Sequence, residues 1–442
     1  MMLAVLGAVG VLAIAAIAAI YAADLTYYEG PPIRSDGLSY YVYLPAVLLD
    51  HDVTMVRTAA RSFGGDPTNI AAVDWTRTSS GTQLPLDPHG VGEAVLMSPF
   101  FAVGHLLAVL TKEPRDGFSW PYQAAAVAAG LMYVLLGLAL TASVLRRWFT
   151  RRTVIVTTVA ITFGAAVFQY ASYDATYSHG YSFFLVALAM RLTLSVWDRP
   201  RFSSAAALGA TLGLVGLVRP TNLVLVLFCA LVGVERLGDI PERARSLLRR
   251  FDLVAIGGGV FILMLMPELA YLYRITGTAF ANPYQATPGV HLDLLRPHLV
   301  GVLFSVRKGL FFWTPLLILA VAGLPLLRRT ARPLFVPAVA YLIVVTWIVA
   351  SWSQWFYGGS FGMRALIDAM PVFALGLAAL YESARGALAR RGLNIAIALT
   401  TLLAVHGMVA YWLKAIPYDQ TTLHQYLDSF VHYRGHVWHL DD

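Results

Sequence analysis

Residues 122–152 read YQAAAVAAGLMYVLLGLALTASVLRRWFTRR. The uncharged run 122–145 ends in Arg146, Arg147, Arg151 and Arg152. As a helix it is about 36 Å long, enough to cross a hydrocarbon core of roughly 30 Å. The arginines set its direction. Bases collect on the cytoplasmic side of spanning helices, so this one runs inward.

The same punctuation recurs along the chain. Basic clusters stand at Arg199 and Arg201, from Arg236 to Arg250, at Arg328, Arg329 and Arg332, and at Arg385, Arg390 and Arg391. The five cytoplasmic loops so defined hold 17 of the 32 Lys and Arg residues. Between them lie paired apolar runs at 153–170 and 181–197, 203–217 and 221–235, 251–273 and 310–327, and 333–350 and 366–384. A first span from Leu3 to Ala23 and a last near 393–413 complete an all-α polytopic bundle of about 11 transmembrane helices. Residues 94–111 are also apolar, but counting them as a span puts the acid-rich segment 24–93 in the cytoplasm. They are read as an interfacial helix on the outer leaflet.

Composition agrees with this class. Of 442 residues, 58% are hydrophobic and 13% charged, where a soluble domain carries about 25% charged residues. A soluble enzyme, a disordered scaffold and a disulfide-stapled domain are excluded. The lone Cys229 cannot form an intramolecular bridge. The net charge of +7 reports topology, and no nucleic-acid partner is expected. AIYAAD near the N-terminus resembles a cleavage site, but no basic region precedes the apolar run, so a retained helix is expected.

The chain is read as one membrane domain, 1–413, with outer segments 24–121, 274–309 and 351–365 and an outer C-terminal tail, 414–442. All the histidines but His406 fall on or near the outer side. Chemistry is expected there.

Arg34-Ser-Asp-Gly-Leu-Ser-Tyr-Tyr opens the first outer segment. Asp36 can accept a proton from an attacking hydroxyl, or Ser35 or Asp36 can cap a helix that starts near Gly37. Tyr40 lies with Tyr41, Tyr43 and Leu44 on an aromatic, amphipathic helix able to rest on the interface. Asp50-His-Asp52 is close to a metal-ligand pattern, but such a trio is commonly a solvated turn. In Asp87-Pro-His-Gly-Val-Gly-Glu93, His89 and Glu93 are candidate acceptor groups, and Glu93 also suits a helix N-terminus. Asp174 and His179 lie in a short outer loop whose polar groups suit sugar recognition or simple hydration.

Arg219-Pro-Thr-Asn222 places an arginine between two apolar runs, where it needs a lipid phosphate, a structural carboxylate or a phosphate leaving group. Arg307-Lys308 stands where the second outer segment re-enters the bilayer, suited to headgroups or to the phosphate of a lipid-linked substrate. Trp355, in Trp352-Ser-Gln-Trp-Phe-Tyr, can stack on a sugar. Arg364 is a further phosphate candidate, or an i,i+4 partner of Asp368. His432, His436 and His439 in the tail have helix-like spacing, a weak zinc signal.

The order of these features resembles the GT-C superfamily of polyprenyl-phosphate-sugar-dependent membrane glycosyltransferases, including bacterial and mycobacterial polyprenyl-phosphomannose enzymes and aminoarabinose and protein O-mannosyl transferases. Carrying the resemblance are Ser35-Asp36-Gly37 with Tyr40-Tyr41 after the first helix, Pro88-His89-Gly90, Val218-Arg219-Pro220, Phe304-Ser305-Val306-Arg307-Lys308-Gly309 and Gly359-Ser360-Phe361-Gly362-Met363-Arg364. The resemblance implies a GT-C-like bundle and inverting transfer in the plasma membrane of a bacterium, at a periplasmic or extracellular site. Asp36 would be the base, and the donor phosphate would meet Arg307, Lys308, Arg364 and Arg219. Tyr40, His89, Glu93, Asp174, His179 and Trp355 would meet the sugar or acceptor. The implied partners are a polyprenyl-phosphate-linked sugar, a glycolipid, polysaccharide or protein acceptor, and membrane lipids. Many relatives carry a second acid after the catalytic Asp, where this chain has Gly37, so neither a metal nor another cofactor is expected.

The competing reading is a lipid or sugar transporter or flippase without covalent chemistry. Such proteins place ionisable sites near the midplane. Here Arg191, Glu268 and His406 are the few candidates.

Overall fold

The computed structural model describes residues 1–25, 30–70, 73–77, 81–286 and 289–433. His436 and His439 lie outside the described residues. In chain order the principal helices are α1 (Met2–Ala22), α2 (Ser35–Tyr41), α3 (Tyr43–Leu48), α4 (Gly92–Thr111), α5 (Trp120–Leu145), α6 (Arg151–Gly164), α7 (Ser178–Asp198), α8 (Phe202–Val218), α9 (Phe251–Thr276), α10 (Phe335–Ala350), α11 (Met370–Ser383) and α12 (Ala387–Trp412). One antiparallel hairpin, β1 (Asp74–Arg77) and β2 (Gln83–Leu86), pairs Asp74 with Leu86 and Arg77 with Gln83.

Eight helical stretches among the described residues are long and apolar enough to cross a membrane. They contain α1, α4, α5, α7, α9, α10, α11 and α12. Other expected spans are shorter or broken. α6 stops at Gly164, Ala166 turns left-handed at φ 57°, and a new helix runs Val167–Ala171. Pro220 ends α8 and starts a 3-10 turn, and Pro315 and Pro325 divide 310–327 into short helices. Proline has no N–H for the helical ladder and clashes with the preceding turn, so the breaks at 220, 315 and 325 follow from the sequence.

α4 differs from the flat interfacial helix expected. It continues through Pro99 and doubles back along α5. The Tyr133 hydroxyl donates to the Leu96 carbonyl at 2.9 Å, and Gly104 packs on Pro121, Tyr122 and Ala125. Those contacts are about 12 Å apart along α4, so the helix stands beside α5 instead of lying across it.

Small residues set the closest packing. Gly209 meets Gly257 and Gly213 meets Met264 between α8 and α9, allowing the backbones to approach. α9 leaves Ile262, Leu263 and Met266 exposed, a face suited to lipid. α11 is enclosed on all sides, with Gly376 against the Ala320 carbonyl. Arg147, just past α5, pairs with Asp198 at the end of α7. The polar groups of interest gather near the opposite end of the bundle.

Candidate functional site

Asp36 sits in the first turn of α2, which begins at Ser35 with φ 47° and has Arg34 as its N-cap residue. Among the described residues no side chain caps this helix, and neither Ser35 nor Asp36 takes the capping role expected of it. Instead, Asp36 Oδ2 accepts from Arg364 Nη1 at 2.7 Å, and 28% of the Asp36 side chain stays exposed, enough for a substrate to reach. Burial by itself would raise this carboxyl. The charge of Arg364 and its hydrogen bond outweigh burial and hold it below the usual carboxylate range.

The loop before α7 closes over α2. A Cβ at Gly37 would lie 2.8 Å from the Thr176 carbonyl oxygen, so the loop leaves no room for a side chain beside Asp36. Asp174, in the same loop, accepts from Gln169 Nε2 at 2.9 Å. Burial raises the Asp174 carboxyl, opposed first by Arg34. Arg34 is itself buried, donating to the Tyr21 hydroxyl and, at 3.3 Å, to the Tyr173 carbonyl.

Beneath this pair lies a second network, centred on Asp368. The 3-10 helix Arg364–Ala369 carries both Arg364 and Asp368. Because a 3-10 helix advances about 120° per residue, positions four apart diverge, so the expected Arg364–Asp368 pair does not form. Asp368 Oδ1 lies 3.1 Å from His179 Nδ1, and Oδ2 accepts from Asn222 Nδ2 at 2.6 Å and lies 3.1 Å from Arg219 Nε. Arg219 Nη1 also lies 3.2 Å from the His179 ring nitrogens. The structural carboxylate that Arg219 needed is therefore Asp368, and the Pro220 break delivers both Arg219 and Asn222 to it.

The third component is the strap from Asp87 to Glu93. A Cβ at Gly92 would sit 2.6 Å from Leu217 and Val218 atoms, so the strap lies flat against the end of α8. It is tied elsewhere through the Tyr43 hydroxyl to the His89 carbonyl at 2.7 Å, the Asp87 N–H to the Tyr271 hydroxyl at 2.9 Å and the Val91 N–H to Glu268 Oε2 at 3.0 Å. The His89 ring packs on Tyr40 with centroids 4.4 Å apart. Glu93 is fully buried, both its carboxyl oxygens without a hydrogen-bond partner among the described residues, within the electrostatic reach of Asp36 and Arg219. Beside the strap opens an apolar cavity of about 470 Å³ lined by Tyr43, Leu44, Val91, Val95, Pro267 and Tyr271.

Arg307 and Lys308 direct their N–H groups to neighbouring chain. Arg307 Nε and Nη2 meet Asp419 Oδ1 and Oδ2 at 2.9 and 2.7 Å, a bidentate pair, and its guanidinium lies over Phe356. Lys308 is buried and donates to the carbonyls of Ser360 and, at 2.7 Å, Tyr418. Burial lowers its amine to about 7. Trp355 packs over Gly301 and near His298, outside the Asp36 cluster. Asp50 and Asp52 serve ordinary local contacts, Asp50 with Arg61 and Thr58 and Asp52 with Thr54 and the Arg57 N–H.

The structure thus brings together Asp36, Arg364, Tyr40, His89, Glu93, Asp174, His179 and Arg219. Sequence reading did not single out Ser39, Arg34 or Asn222. Only Asn222 left a signal, a polar amide just past a proline break in an apolar run.

The fold and its charge distribution define an all-α polytopic membrane protein. No protein-family model matches the sequence, nor does any curated protein sequence. Among solved structures, the chain is similar to the archaeal oligosaccharyltransferase AglB from Archaeoglobus fulgidus, in complex with an inhibitory peptide and a dolichol-phosphate, at 12% identity and TM-score 0.47. The match covers 93% of this chain and 55% of that one, so this chain spans little more than half that protein's length. It is also similar to ArnT from Cupriavidus metallidurans in the apo state, at 14% identity and TM-score 0.44, over 91% of this chain and 75% of that one.

Proposed function

We propose that the chain is an inverting glycosyltransferase of the GT-C kind, moving a monosaccharide from a polyprenyl-phosphate donor to a hydroxyl of a cell-envelope acceptor at the outer face of the plasma membrane of a bacterium. Asp36 takes the acceptor proton as the new bond forms at the anomeric carbon. The bond to the phosphate oxygen breaks, and its electron pair leaves with the lipid phosphate. Arg364 and Arg219 offer charge to that phosphate, and Arg307 and Lys308 brace the tail beside it. The observation that carries this reading is the reachable Asp36 carboxylate held ionised by Arg364, in a cluster that also contains Arg219. The apolar cavity beside the strap supports a substrate with a hydrocarbon chain.

The test supplies purified protein with a panel of polyprenyl-phosphate hexoses and pentoses and octyl glycoside acceptors. Transfer that is lost in Asp36→Asn supports the reading. Full activity in that variant removes Asp36 as base, and substrate flux into proteoliposomes without any covalent product favours a transporter.

A further inference from the structure

Ser39, Asp87 and His89 form a directed hydrogen-bond chain. Ser39 Oγ lies 2.6 Å from Asp87 Oδ1 and 2.8 Å from His89 Nδ1. Asp87 Oδ1 also accepts the His89 backbone N–H at 2.8 Å. An oxygen that accepts that N–H is an acceptor toward Ser39 as well, so the single hydroxyl proton of Ser39 points to Asp87. Ser39 Oγ is left to accept from His89 Nδ1–H, which assigns the tautomer through the network. In the neutral ring, Nε2 then carries a free lone pair.

The ring cannot easily swing away from this setting. Tyr40 packs on one side and Tyr284 meets it edge-on at 6.5 Å, while Tyr43 holds the His89 carbonyl. Nε2 has no hydrogen-bond partner among the described residues. One turn further on, Glu93 holds two buried, unpartnered oxygens. Both groups lie in the electrostatic surroundings of Asp36.

We propose that His89 positions the acceptor: its Nε2 accepts a hydrogen bond from a second hydroxyl of the acceptor's sugar or polyol head while Asp36 faces the attacking one. This rests on the glycosyl-transfer reading above. It makes the acceptor a hydroxyl-rich head group in place of a lone alcohol.

Two variants separate the ring's nitrogens. The Gln amide reaches the position of Nε2, whereas the Asn amide reaches only that of Nδ1. Kinetics with the donor panel and octyl glycosides should show His89→Asn raising the acceptor KM by about tenfold, the worth of one hydrogen bond, with the donor KM little moved. His89→Gln should stay within about threefold of wild type. The opposite order, with Asn tolerated and Gln impaired, overturns the proposal, because the ring then serves only its bond to Ser39. Equal loss in both variants with lowered thermal stability also overturns it. Wild-type protein that turns over none of the donors sinks the glycosyl-transfer reading and this proposal with it.

Discussion

Arg364 Nη1 lies 2.7 Å from Asp36 Oδ2, joining residues 328 positions apart in the chain. The contact keeps a partly enclosed carboxylate ionised, and so able only to accept protons and hydrogen bonds. Replacing it by an amide retains the shape and removes the base. Asp36→Asn is therefore expected to slow transfer by about 10²–10⁴-fold with little loss of folded protein, as read by initial rates and by size-exclusion profile.

Gly37 is pressed against the Thr176 carbonyl, so any side chain there must displace the loop before α7. Gly37→Ala should lower stability by about 1–3 kcal/mol, the usual cost of overpacking. Gly37→Asp, which places a second acid beside Asp36, should lose activity as well. A gain of activity in Gly37→Asp would show that the loop yields and that a second carboxylate is useful.

Glu93 buries a carboxyl without a hydrogen-bond partner, which costs folding free energy. Glu93→Met is expected to stabilise the protein by about 1–3 kcal/mol while lowering transfer. Thermal unfolding in detergent and initial rates measure the two effects. A destabilised variant would mean that the carboxyl has a structural role.

Lys308 supplies a pH signature. Its amine is lowered by burial from 10.5 in the unfolded chain to about 7 in the folded one, so between those values the unfolded chain holds the extra proton. Stability should then rise with pH through that window. A neutral amine still has two N–H groups for the Ser360 and Tyr418 carbonyls. Unfolding temperatures of Lys308→Met, followed from about pH 7 to pH 10, should lack this rise. A wild type and variant with parallel curves would contradict it.

Helix positions and helix partners were legible to different degrees. The long apolar runs identify α1, α5, α7, α9 and α12 directly, with arginines bounding all of them but α1, because burial in lipid demands length and uniform apolarity. Proline breaks at 220, 315 and 325 were equally visible as residues. Their effect, turning expected spans into short helices that admit polar side chains, was not. α4 shows the limit of charge counting: nothing in 94–111 says whether the helix lies flat or doubles back, and Gly104 decides that by admitting α5.

By itself, the sequence determined the membrane class and the candidacy of Asp36, Arg219, Arg364 and His89, since composition and charge pattern are local properties. Tertiary structure alone decided the partners. Arg364 turned from Asp368 to Asp36 because a 3-10 turn separates residues four apart, and Arg219 took Asp368 instead. Arg307 and Lys308 closed on the tail. Which charge meets which depends on helix geometry and on contacts across hundreds of residues, information that no local spacing contains.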